Sequence, residues 1–216
     1  VSGSPLFLDS ASVKDASRAE ALGFVAGVTT NPSLMAQFAD PPLEQLKSLL
    51  CATSGLVFYQ PMSLEGRRIE SEAVLAYDQA PERVVIKLPA QLATFEVGAR
   101  LAKRGIPVAG TAIYGAAQAV VARAAEFAWL IPYVDRAERL LAQGKSLVGE
   151  LRATVDAVGG DIKILGASVK TPEQVVTTLR QGADAVTCPL AVIESLVAHE
   201  LTDSAVAEFA RLFSLE

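Results

Sequence analysis

At 216 residues and 51% apolar side chains, the chain suits one sizeable core and is too apolar for a disordered segment. A net charge of −5 without a basic block argues against a nucleic-acid partner, and no run of about 18 apolar residues predicts a membrane span. Two cysteines, Cys51 and Cys188, fit a reducing cytoplasmic location, and a single histidine, His199, speaks against a Ser-His-Asp triad or a His-rich metal site.

Residues 1–5 are set aside as a disordered or vector-derived leader, and the fold is expected over residues 6–216. Leu6-Phe7-Leu8 is a short apolar run ending at Asp9, followed by a helical pattern from Ser12 and Asp15 to a terminal Gly23. Phe24 to Val28 reads as a second strand running into Thr29-Thr30-Asn31. Pro32 then opens a short helix, and Pro41-Pro42 precede another with Leu43, Leu46 and Leu50 on one face. Leu56 to Tyr59 is the third strand, with Gln60 at its end. Ser63 is a candidate cap for a helix burying Ile69, Ala73, Ala76 and Tyr77.

Val84-Val85-Ile86-Lys87-Leu88-Pro89 is the fourth strand, too short for a helix and rich in β-branched residues. Its helix places Phe95, Ala99 and Ala102 at helical spacing and stops at Gly105. Ile106 to Gly110 is the fifth strand, ending in Thr111, and an alanine-rich helix spans roughly Gly115 to Ala125. Phe127 to Pro132 leads into Tyr133-Val134-Asp135-Arg136, and Leu147, Leu151, Val155 and Val158 mark the next helix. Ile162 to Gly166 ends near Ser168 and Lys170. Thr171-Pro172-Glu173-Gln174 then supplies an N-cap, a first-turn proline and a capping-box partner. Ala183 to Cys188 is the eighth strand, followed by Pro189 with an apolar helix, and Asp203 is read as the cap of a last helix to Phe213.

About eight alternating strand–helix units with short links predict an α/β fold. The expected form is a single-domain (β/α)8 TIM barrel with an additional C-terminal helix. No G-x-G-x-x-G follows the first strand, which weakens a dinucleotide-binding alternative. Active sites of such barrels lie at the carboxyl ends of the strands, where Asp9, Thr29, Asn31, Gln60, Lys87, Thr111, Tyr133, Arg136, Ser168 and Lys170 collect.

The seven lysines separate by position. Lys14, Lys47, Lys103 and Lys145 fall in helical or linker segments, Lys163 begins a strand at the opposite pole, and Lys170 sits in a polar loop suited to anions. Only Lys87 is enclosed by a strand, where desolvation lowers an amine's pKa towards the nucleophile of Schiff-base chemistry. The structural alternative is a buried lysine paired with a carboxylate such as Asp9. For Arg136 it is a surface ion pair with Asp135 or Glu138.

The stretches Leu8-Asp9, GVTTNPS (27–33), VIKLP (85–89), GTAIYGAAQ (110–118), PYVDR (132–136) and ASVKTPEQ (167–174) occur in order over nearly the whole chain. Together they resemble the small transaldolase family, and within it the fructose-6-phosphate aldolase branch. The resemblance implies a class I aldolase with Lys87 as the Schiff-base lysine on strand four. Asp9 and Asn31 would hold donor hydroxyls and assist proton transfer, with Thr29 lining the pocket. Gln60, Thr111 and Tyr133 would hold a water that relays protons. The family's transaldolases carry glutamate and phenylalanine where Gln60 and Tyr133 stand, so these two favour the aldolase. Arg136, Ser168 and Lys170 are the phosphate candidates.

The implied reaction is reversible cleavage of fructose 6-phosphate to dihydroxyacetone and glyceraldehyde 3-phosphate, with no metal or organic cofactor. The alternatives are transaldolase activity and a non-catalytic barrel that binds sugar phosphates. The family also implies a homo-oligomer, pentamer or decamer, whose C-terminal helix reaches a neighbour; the apolar face of Val206, Phe209 and Phe213 suits such docking and equally packing on its own barrel. Four features depart from the family: Asp135 in place of Gly or Asn, the 137–146 stretch, Pro61 after Gln60, and a shorter C-terminal tail.

Overall fold

The computed structural model describes residues 3–63, 65–141 and 146–213. Residues 142–145 of the divergent 137–146 stretch, Lys145 among them, Val1-Ser2 of the leader and the side chain of Phe213 lie outside them. Eight parallel strands close into a barrel in sequence order: β1 (Leu6–Asp9), β2 (Gly27–Thr29), β3 (Leu56–Tyr59), β4 (Val84–Pro89), β5 (Val108–Ile113), β6 (Trp129–Pro132), β7 (Lys163–Gly166) and β8 (Ala185–Cys188). Pairing of Leu8 with Cys188 closes the ring between β1 and β8. Around it run α1 (Val13–Leu22), α2 (Pro32–Met35), α3 (Pro42–Ala52), α4 (Gly66–Tyr77), α5 (Leu92–Lys103), α6 (Ala117–Ala124), α7 (Val134–Leu140), α8 (Leu147–Val158), α9 (Pro172–Arg180) and α10 (Leu190–Ser195). The additional C-terminal helix is α11 (Glu200–Phe213). Among the described residues no helix is long and apolar enough to cross a membrane.

The period-2 alternation of the strands divides the core in two. Leu8, Val57, Ile86, Val108, Leu130, Ile164 and Val186 face the helices, whereas Phe7, Phe58, Val85, Ala109, Trp129, Leu165 and Ala185 fill the lumen. Phe7, Phe58 and Trp129 meet edge to face with centroids 5.4–6.1 Å apart, plugging the amino-terminal half of the barrel with aromatic bulk. Two residues further along the same strands, the same parity brings Asp9, Gln60, Lys87, Thr111 and Thr187 to the lumen's carboxyl end.

Several boundaries differ from those expected. β2 begins at Gly27, because Gly23 ends α1 in the left-handed conformation and leaves Phe24 on the surface. β5 runs on to Ile113 through a register shift at Ala112, whose φ is 54°, so Thr111 lies inside the strand. The buried stripe of α5 is Phe95, Val97, Gly98 and Leu101; Ala99 and Ala102 are only half-buried. Gly98 allows the Phe127 ring an approach that a β-carbon, 2.4 Å from its Cζ, would block. On α8 the buried face is Val148, Leu151 and Val155, while Val158 is exposed.

Ser63 is not the cap of α4, which begins after Glu65; the Ser63 hydroxyl accepts from Glu65 N–H in the preceding turn. Asp203 lies inside α11, whose first turn closes on the His199 carbonyl. Ser4 and Pro5, set aside with the leader, are tied to the barrel: Val186 N–H donates to the Pro5 carbonyl and the Ser4 hydroxyl to that of Phe24.

Candidate active site

Lys87 is 3% exposed, between Ile86 and Leu88 in the carboxyl half of β4. Its Nζ donates to the Thr30 carbonyl at 2.7 Å. Burial pushes its pKa down to about 8, against the opposing pull of the Asp9 charge. The amine therefore leans on a neutral carbonyl, and among the described residues no carboxylate lies within ion-pair distance of it. The structural alternative of a Lys87–Asp9 pair is not formed.

Asp9 is fixed from below. Thr29 Oγ1 donates to Asp9 Oδ1 at 2.9 Å, and Thr29 and Thr187 hydroxyls are 2.7 Å apart. With the Thr29 proton committed to the carboxylate, Thr187 is the donor in the second contact. Thr29 is fully buried and does not line the cavity, so it supports Asp9 from beneath, contrary to the lining role expected of it.

Asn31 caps α2, its Oδ1 accepting from Leu34 N–H at 3.0 Å, which leaves its amide N–H groups for a ligand. Gln60 Oε1 and Thr111 Oγ1 are both buried without a protein partner. Thr111 itself is almost wholly buried. Tyr133 continues the ladder past β6 by pairing with Ala167, and its ring stands edge-on to Tyr114 at 6.0 Å. Burial raises the Tyr133 pKa, so the phenol stays protonated near neutral pH. The Thr111 hydroxyl lies near enough to pull it partly back, without completing a hydrogen bond.

Arg136 stacks on the Tyr133 ring at 5.4 Å. It does not pair with Asp135, which faces Arg139 at 3.0 Å, nor with Glu138, which accepts from Gln174 Nε2 at 2.9 Å. The carboxylate expected beside the phosphate candidates is thus turned away from them. Ser168 adopts a left-handed φ of 61°, and Lys170 sits exposed at the rim with its N–H bound to Gln174 Oε1 at 2.8 Å.

These groups converge. A cavity of about 440 Å³ is lined by Asp9, Asn31, Gln60, Lys87, Tyr133, Arg136, Ser168 and Lys170, with Pro32, Ser33, Leu34 and Ala167 completing its wall. It holds a deep amine and carboxylate at one end and two cations at its mouth, the dimensions and polarity of a small phosphorylated, hydroxylated ligand. The sequence reading missed Thr30, which acts through its carbonyl and leaves no side-chain signal. It also missed Thr187, whose parity with Ala185 could have placed it in the lumen.

A parallel barrel with an amine desolvated in its lumen and an anion-ready mouth is an architecture for carbonyl chemistry. A model of the transaldolase/fructose-6-phosphate aldolase family matches residues 6–216, and the chain belongs to that family. It is an enzyme of the class I aldolase/transaldolase group. Among similar proteins are a probable transaldolase of Symbiobacterium thermophilum, 32% identical over 204 residues, and one of Citrifermentans bemidjiense, 34% identical over 203. A third, from Methanococcus maripaludis, is 33% identical over 203 residues; each alignment covers 94% of both chains.

Proposed function

We propose that the protein is a Schiff-base aldolase that reversibly cleaves fructose 6-phosphate to dihydroxyacetone and glyceraldehyde 3-phosphate. The observation that carries this reading is Lys87, desolvated yet unpaired with a carboxylate at the floor of the cavity. Its neutral amine attacks the C2 carbonyl, and loss of water gives the iminium. Asp9 takes the C4 hydroxyl proton, the C3–C4 bond breaks, and its electron pair passes into the iminium to form the enamine. Glyceraldehyde 3-phosphate departs. The enamine carbon is then protonated, and water restores the amine and releases dihydroxyacetone.

Asn31 orients the donor hydroxyls. Gln60, Thr111 and Tyr133 hold the water that carries the proton, a role supported by the two unpartnered oxygens of Gln60 and Thr111 beside a phenol kept protonated by burial. A glutamine amide positions a water but cannot act as its base. Arg136, Ser168 and Lys170 bind the phosphate at the mouth, with the Arg136 guanidinium free of the neighbouring carboxylates.

The relatives' names favour a second reading, transaldolase, in which the enamine waits for an aldose-phosphate acceptor. Fructose 6-phosphate supplied without acceptor separates the two: steady release of free dihydroxyacetone is expected, and release only on addition of erythrose 4-phosphate would overturn the aldolase. Borohydride reduction with dihydroxyacetone tests the chemistry itself. Absence of an adduct on Lys87 would leave a non-catalytic sugar-phosphate-binding barrel.

We place the enzyme in a reducing cytoplasm, where the free thiols Cys51 and Cys188 persist. We assign it a pentameric or decameric assembly. The exposed Leu201, Val206, Phe209 and Leu212 of α11 support docking on a neighbour rather than on its own barrel. Light scattering after size exclusion checks this, and a monomer would rule it out.

A further inference from the structure

The short connection between β3 and α4 delivers Gln60 to the cavity, and it is held from outside by one carboxylate. Glu72, in the second turn of α4, accepts the Tyr59 hydroxyl at 2.7 Å and the Met62 N–H at 2.8 Å on Oε1, and the Ser63 N–H at 3.2 Å on Oε2. These donors bracket Gln60, since Tyr59 precedes it while Met62 and Ser63 follow across Pro61. Strand alternation sends the fully buried Tyr59 outward to the helix layer and Gln60 inward to the lumen.

Among the described residues no Lys or Arg lies within ion-pair distance of Glu72, so its charge rests on these donors. Only a carboxylate accepts all of them, because an amide in its place would turn an N–H2 group against one of the backbone N–H groups. Pro61 contributes a fixed φ and no donor of its own, which leaves the loop dependent on this outside anchor. Burial and the Glu72 carboxylate raise the Tyr59 pKa, so the phenol remains a donor across the working range.

We infer that Glu72 is a positioning residue: by clamping Tyr59, Met62 and Ser63 it fixes the carboxamide of Gln60, and so sets whether the Lys87-bound enamine is protonated or transferred. The inference rests on the Schiff-base reading above and adds a control on its product partition. Glu72 touches neither the substrate cavity nor Lys87.

The test uses Glu72→Gln and Tyr59→Phe in the full chain. Three quantities are compared with wild type: borohydride trapping of dihydroxyacetone on Lys87, kcat and KM for fructose 6-phosphate cleavage, and free dihydroxyacetone relative to product transferred to erythrose 4-phosphate. For Glu72→Gln, trapping is expected within about twofold of wild type, and kcat for cleavage about 10- to 100-fold lower at little-changed KM. The partition should shift towards transfer by a similar factor. Tyr59→Phe, which keeps both backbone contacts, should shift it in the same direction by less.

A folded Glu72→Gln variant with wild-type partition overturns the inference, as does parallel loss of trapping and cleavage, which marks a merely structural residue. Should Glu72→Gln not fold, an unmoved partition in Tyr59→Phe overturns it instead. Failure to trap any adduct on the wild-type chain refutes the Schiff-base reading and this inference with it. A wild-type adduct with unmoved partition refutes this inference alone.

Discussion

Replacing Lys87 by methionine should stabilise the protein at neutral pH while abolishing its chemistry. Burial holds the Lys87 pKa at about 8 against 10.5 for a free lysine, so keeping the charged amine in the barrel costs about 3 kcal/mol. Methionine has similar length, no charge and no such cost. The substitution also removes the 2.7 Å donor to the Thr30 carbonyl, a loss of about 1 kcal/mol. The net expectation at pH 7 is a gain of about 2 kcal/mol, or about 4–8 °C in Tm for a chain of this size.

The pH dependence gives the sharper test. Below pH 8 the lysine is protonated in both folded and unfolded wild-type chains, and the full cost is present. Between pH 8 and 10.5 the unfolded chain binds the proton that the folded chain has released, so wild-type stability rises with pH relative to the variant. Urea unfolding at pH 7, 8.5 and 10 should therefore show the advantage of Lys87→Met shrinking and then vanishing. A variant no more stable than wild type at pH 7, or an advantage constant across this range, would refute the account of Lys87 as a costly buried amine.

Thr29→Val preserves shape but unpartners Asp9 Oδ1 and Thr187 Oγ1. A destabilisation of about 1–3 kcal/mol in urea is expected with a fall in cleavage rate, and wild-type values for both would remove Thr29 from the site's support. Arg136→Ala should raise KM for fructose 6-phosphate about 10- to 100-fold while leaving borohydride trapping of unphosphorylated dihydroxyacetone intact; equal losses in both assays would argue against phosphate recognition. Gly27→Ala places a β-carbon 2.1 Å from the Leu56 carbonyl oxygen, a backbone clash no rotamer relieves. It should cost at least about 3 kcal/mol in chemical unfolding. Gly66→Ala, at the start of α4 with nothing within 4 Å, serves as the control and should be neutral or stabilising by up to about 1 kcal/mol.

The strand order, the closed barrel and the polar ends of the strands were legible because each depends on local pattern. Val84 to Pro89 shows the reason. An apolar run six residues long with β-branched side chains can satisfy its backbone only in a buried sheet, and an interior lysine then has one place to go. Period-2 alternation determined that Lys87 shares a face with Val85, and Pro89 and Ala90 end the run. Thr171 and Gln174 likewise wrote the start of α9 into four consecutive residues.

The tertiary structure decided what those side chains touch. Thr29 meets Thr187 across 158 residues, a contact that exists only because β1 closes on β8. Thr30 serves Lys87 through a carbonyl common to every residue type. The aim of Asp135 away from Arg136 follows from α7 packing beside α9, where Gln174 and Arg139 capture the acidic groups. By itself the sequence determined a barrel with a buried amine at the carboxyl end of its fourth strand, since hydrophobic periodicity and turn chemistry act over a few residues. Which carboxylate faces that amine, which hydroxyls support it and which loop is clamped beside it were decided by barrel closure, which brings together groups that no local pattern links.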